Sequence, residues 1–152
     1  MIVIQNKRQF LAGLDREEER VTRLFRTRVR RVVSEALRRL IDKTPVHTGA
    51  TVASYAINES VVHPGFGAVE PTNHLPLGAE KNRGPAQAVA MGRLKALSFD
   101  DPFQRFEITN AAPQAELLER GAGPTPETTR APRGMFAITN EELMLLLKSG
   151  KL

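Results

Sequence analysis

The sequence predicts an α+β fold: a long N-terminal helix and a short second helix packed on a mainly antiparallel sheet, with a short C-terminal helix. Three observations predict it. Apolar residues recur at spacings of three and four from Val21 to Ile41, two β-rich runs lie at Val52–Val62 and Arg105–Asn110, and a Leu-rich segment closes the chain. With 152 residues the chain has room for one sizeable core, so a single domain over residues 1–152 is expected.

The first helix is expected from Asp15 to Lys43. Val21, Leu24, Phe25, Val29, Val32, Val33, Ala36, Leu37, Leu40 and Ile41 form one stripe to be buried. Asp15, Glu17, Glu18 and Glu19 crowd its first turn, where negative charge meets the positive end of the helix dipole. Thr44-Pro45 ends it, because the residue before proline is pushed out of the helical region. At about 1.5 Å per residue the rod is roughly 43 Å long, more than so small a domain needs. Part of it is expected to pack against another subunit.

A strand is expected near Val52–Val62, followed by a projecting loop over residues 63–84 rich in proline and glycine. Pro85–Leu97 reads as a short helix with Ala88, Met91, Leu94 and Leu97 on one face. Arg105–Asn110 alternates, with Phe106 and Ile108 inward. Ala115–Arg120 leads into a second projecting loop, residues 121–134. Thr139-Asn140-Glu141-Glu142 has the pattern of a capping box opening the last helix.

Composition narrows the function. Aromatics make up 5%, with one Tyr and no Trp, too few for a platform that stacks nucleic-acid bases. The absence of cysteine removes disulfides, zinc ribbons and thiol nucleophiles. The longest apolar run, Leu143–Leu147, falls far short of the roughly 20 residues of a membrane span. Met1–Ile4 is apolar ahead of Lys7 and Arg8, the reverse of a secretory leader, so the chain is expected in the cytoplasm.

The net charge of +5 is unevenly spread. Residues 1–43 hold 12 basic and 6 acidic side chains, a net of +6, and the remainder is close to neutral. Arg20, Arg23, Arg26, Arg28, Arg30 and Arg31 lie within twelve residues, with no acid between Arg20 and Glu35. Such forks suit phosphate oxygens, yet they wrap around the apolar stripe on more than one side and no nucleic-acid-binding signature accompanies them. Subunit contact is therefore expected to be the main use of Arg20, Arg23, Arg26, Arg30 and Arg31, with DNA contact secondary.

No catalytic or metal centre is expected. His47, His63 and His74 lack ligand spacing, and Ser34, Ser54, Ser60 and Ser98 lack a nucleophile elbow. Gly65-Phe66-Gly67 is an incomplete dinucleotide fingerprint, and Asp100-Asp101 reads as a turn.

Several segments make sense together. After the charged helix come Thr44-Pro45-Val46-His47-Thr48-Gly49 and Ser54-Tyr55, then Phe106-Glu107-Ile108-Thr109-Asn110-Ala111-Ala112-Pro113, Leu118-Glu119-Arg120-Gly121 and Ala131-Pro132-Arg133-Gly134-Met135. In this order and spacing, over residues 44–136, the chain resembles the neck or tail-completion proteins of tailed bacteriophages, also described as minor tail components. His47, Thr51 and Gln114 depart from that pattern. The resemblance implies a structural virion protein without cofactor, assembled in the bacterial cytoplasm. It would form a six- or twelve-fold homo-oligomeric ring joining the head connector to the tail. Its implied partners are a head-completion or adaptor protein, a tail terminator or tail tube protein, and the packaged DNA passing through the channel. The loop basic residues Arg120, Arg130 and Arg133, with Pro132 and Met135, are expected at a subunit or partner interface. The alternative is a nucleic-acid-binding protein that uses the arginine-rich helix.

Overall fold

The structure, a computed structural model, describes residues 6–45, 49–58, 83–101, 103–121 and 133–152. The fold is α+β, mostly helical, with one small sheet. Helix α1, Lys7–Lys43, has 37 residues and so runs for about 55 Å. It starts eight residues before the predicted Asp15, and its first turn holds no acid. The reason is continuity: Phe10, Leu11 and Leu14 extend the same three-four spacing, so helix propagation carries through the acidic run. A charge–dipole preference of about 0.3–1 kcal/mol does not set a boundary against that. The far end is where proline predicts it. Thr44 is extended (φ −72°, ψ 123°) and its N–H returns to Leu40 O at 3.0 Å.

After Gly49, whose φ of 90° suits glycine, the chain makes a helical turn, α2 (Ala50–Ala53), before strand β1 (Tyr55–Ile57). The predicted strand near Val52–Val62 is thus shorter and begins later. Val52 and Ala53 are fully buried in the turn, and burial there outweighs the strand preference of Thr51 and Val52. Residues 59–62 lie outside the described residues, as does the predicted 63–84 loop up to residue 82. Strand β2, Ile108–Asn110, pairs antiparallel with β1 in the register Tyr55 with Asn110 and Ile57 with Ile108.

Helix α3, Arg83–Ala96, buries Ala86, Ala90 and Leu94. Ala88, predicted on that face, is exposed, because an i, i+4 row of small side chains brings α3 close to α2 and β1. Short helix α4 spans Ala115–Glu119 and helix α5 spans Met135–Lys148. Helix α5 runs antiparallel along α1: Met135 lies by Thr44, Glu142 by Arg39 and Lys43, and the Leu152 carbonyl by Arg28. The core therefore gathers under the last third of α1, where Val33, Leu37, Leu40 and Ile41 meet Val52, Tyr55, Ala90, Leu118 and Met135.

Candidate functional site

Most of the described segments that carry the phage-neck resemblance meet at one end of the molecule. The Thr44 hydroxyl donates to Leu40 O (2.6 Å) and accepts from the Tyr55 hydroxyl (2.8 Å). Met135 Sδ lies 3.3 Å and 3.5 Å from these two oxygens. All three side chains are buried, and burial pushes the Tyr55 phenol up to about 12, so it is neutral at any ordinary pH. This knot ties the end of α1 to β1 and to the start of α5. Beside it, Asn110 Nδ2 donates to Thr51 O (2.8 Å) while its Oδ1 accepts from the Ala112 N–H (3.0 Å). Gln114 Nε2 donates to Thr51 Oγ1 at 2.6 Å. Two of the positions that depart from the resembled pattern are therefore bonded to each other.

The start of α5 is held from a distance. Glu119, at the end of α4, accepts from the backbone N–H groups of Phe136 (2.8 Å) and Ala137 (3.0 Å), supplying the acceptors that a helix N-terminus lacks. Gly134 enters the helix at φ 95°, and a Cβ there would collide first with the Glu119 backbone carbonyl oxygen and then with its carboxylate, 2.6 Å from Oε1 and 2.8 Å from Cδ. The capping box predicted at Thr139–Glu142 is corrected by this geometry. Those residues lie inside α5, Thr139 is buried with its hydroxyl unpaired, and Glu142 bonds Lys43 (2.8 Å) and Arg39.

The predicted interface residues have different fates. Arg20 pairs with Glu17 at 2.5 Å on the same helix, holding that carboxyl below its ordinary range, and the Arg30 guanidinium sits 5.2 Å from the centre of the Phe99 ring. Arg23, Arg26 and Arg31 are exposed and have no ion pair among the described residues. Arg120 pairs with Glu116 and Arg133 with Glu141 (3.2 Å), all four exposed. Met135 is corrected outright: it is 0% exposed within the chain, a core residue and not an interface one, because the knot around Thr44 closes over it. Arg130 and Pro132 lie outside the described residues, with the rest of the loop from 122 to 132.

The largest surprise is the first half of α1. From Lys7 to Arg28 no residue is buried. Phe10, Leu11, Leu14, Val21, Leu24 and Phe25 are each 45–55% exposed, although the predicted stripe had its members from Val21 onward buried. Among the described residues nothing covers them, apart from the Phe103 ring beside Phe25, itself 90% exposed. The signal was present in the sequence as Phe10-Leu11 and Leu14 in phase with Val21. The acids that follow mask it, because they have the composition of a helix start.

Ser34 and Ser54 hydroxyls donate to carbonyls one turn back, at 2.6 and 2.9 Å, while Asp101 Oδ1 accepts from the Phe103 N–H (2.8 Å) and shapes a turn. His47, His63 and His74 lie outside the described residues. Among the described residues no group of His, Cys, Asp or Glu could hold a metal ion, and no helix is long and apolar enough to cross a membrane. No protein-family model matches the chain, and no curated protein and no solved structure is detectably similar to it.

Proposed function

We propose that the chain is a structural subunit of a tailed-phage virion. Its copies assemble into a ring in the neck that joins the head connector to the tail and leaves a channel for DNA. The observation that carries this reading is the α1 overhang, 22 residues of helix with six large apolar side chains that its own body leaves exposed. A monomer has no use for such a surface, and an assembly subunit does. The resembled turn segments support it from the other end of the molecule, where they tie the end of α1 to β1 and to the start of α5. A head-completion or adaptor protein and a tail terminator or tail tube protein are the neighbours this reading requires.

Light scattering and negative-stain imaging of the purified chain, alone and with its neck neighbours, test the reading. A closed ring is the expected result. A virion in which the chain lies off the tail axis as isolated monomers would overturn it. The nucleic-acid alternative draws on Arg23, Arg26 and Arg31, the expected interface arginines of α1 that meet no acid or ring among the described residues. Three phosphate contacts give a log–log salt slope of about −3 on duplex DNA. Sub-micromolar binding near physiological salt with a slope of about −3 or steeper would favour that alternative instead.

A further inference from the structure

The overhang carries its own instructions for a partner. At about 100° per residue, Phe10, Leu11, Leu14, Val21, Leu24 and Phe25 share one face of α1. They are also arranged as a mirror. Phe10 answers to Phe25, Leu11 to Leu24 and Leu14 to Val21, about a point between Glu17 and Glu18. The overhang itself runs from Lys7, where α1 starts, to Arg28, where Nε donates to the Leu152 carbonyl (3.0 Å) and the body begins. Its midpoint is the same point.

We infer that the overhang pairs antiparallel with the overhang of a second copy of this chain, on a two-fold axis passing between Glu17 and Glu18. Length and pattern then agree. The whole overhang of one copy lies along the whole overhang of the other, and each apolar side chain meets an apolar side chain at its own height. At the axis Glu17 and Glu18 lie on this same face, so four carboxylates gather at the centre of the seam, and the bond of each Arg20 to its own Glu17 offsets part of their repulsion. An antiparallel pair also keeps the two bodies at opposite ends of the seam, about 33 Å of overhang apart, whereas a parallel pair would gather both at one end. The area is adequate as well. Half-exposed side chains of these sizes hold about 100 Å² each, so two copies would hide roughly 1,200 Å², the lower edge for a stable interface.

This inference does not rest on the ring reading, since the helix pair is two-fold and a ring must close through other surfaces. The chain has no cysteine, so single cysteines report geometry cleanly. Under mild oxidation, Glu18→Cys is expected to cross-link to itself. Leu14→Cys and Val21→Cys are each expected to stay uncross-linked alone and to form a mixed disulfide when combined. Leu14→Cys cross-linking to itself would mean a parallel pair and would overturn the inference, as would a wild-type chain that weighs as a monomer at tens of micromolar. Leu14→Glu should weaken the dimer by more than about tenfold while leaving the circular dichroism of the body intact; an unchanged dimer would count against the seam. A ring whose Glu18→Cys chains do not cross-link overturns this inference and leaves the ring reading standing. Cross-linked dimers that never build a ring, even with neck neighbours present, do the reverse.

Discussion

Removing the Glu119 carboxylate tests the idea that α5 is started by a residue far from it in sequence. Glu119→Ala takes away the acceptors for two N–H groups, at 2.8 and 3.0 Å, and a negative charge at the positive end of the helix. Loss of an N-cap acceptor costs about 0.5–2 kcal/mol and loss of the charge about 0.3–1 kcal/mol, so the expected destabilisation is about 2 kcal/mol. Glu119→Gln keeps an oxygen on the helix and loses the charge, which places it near 1 kcal/mol. Gly134→Ala attacks the same junction from the other side. Its φ of 95° and ψ of 147° suit glycine almost alone, at about 1–3 kcal/mol for another residue, and the new Cβ meets the Glu119 backbone oxygen, which stays in every Glu119 variant, as well as its carboxylate. Urea unfolding is the assay. With slopes of about 1–3 kcal/mol per molar, the Glu119→Ala midpoint should fall by about 1 M. The double variant should fall by less than the sum of the single ones, since part of the clash leaves with the carboxylate. Glu119→Ala within 0.3 M of the wild type, or strict additivity with Gly134→Ala, would refute the reasoning.

The other predictions concern packing, burial and charge. Leu37→Ala, at a wholly buried position under α1, should cost about 3–5 kcal/mol, and Leu117→Ala, on the exposed side of α4, less than about 0.5 kcal/mol; comparable losses in thermal unfolding would misplace the core. Thr139→Val, which replaces a buried hydroxyl without a partner by a methyl group, should raise stability by about 1 kcal/mol, and a clear loss in urea unfolding would mean the hydroxyl is bonded. Lys43, and after it Arg39, hold the Glu142 carboxyl below its ordinary 4.5, so its contribution is present above that pH and disappears as pH falls through the lowered value. Glu142→Gln should therefore flatten the acid limb of stability against pH, leaving the share of Glu35, which is lowered in the same direction by Arg38; an unchanged limb would refute the link between α5 and α1. Arg133→Glu should change the melting temperature by only a degree or two, because its pair with Glu141 is exposed, while blocking ring assembly; normal assembly would make the loop residue ordinary surface.

What the sequence alone determined was whatever depends on neighbours within a turn or two. The end of α1 at Thr44-Pro45, the buried stripe from Val33 to Ile41, helix α3 to within two residues, and the inward Phe106 and Ile108 were all legible, because proline sterics and apolar periodicity act locally. Tertiary structure decided the rest. Four acids within five residues, Asp15 to Glu19, look like a helix start, but their preference is worth less than the continuing helix on either side of them. Thr139–Glu142 has the letters of a cap, yet the N-terminus of α5 lies a turn earlier and finds its acceptors in Glu119, 17 residues before Phe136. Thr51 and Val52 favour a strand in isolation and fold as a buried turn, because a left-handed Gly49 delivers them against α3. Whether an apolar stripe is covered is likewise no property of the helix that carries it. Val21, Leu24 and Phe25 repeat the spacing of Val33, Ala36 and Leu37, and they stay exposed because no described helix or strand packs on α1 before Arg28, which only the packed molecule determines.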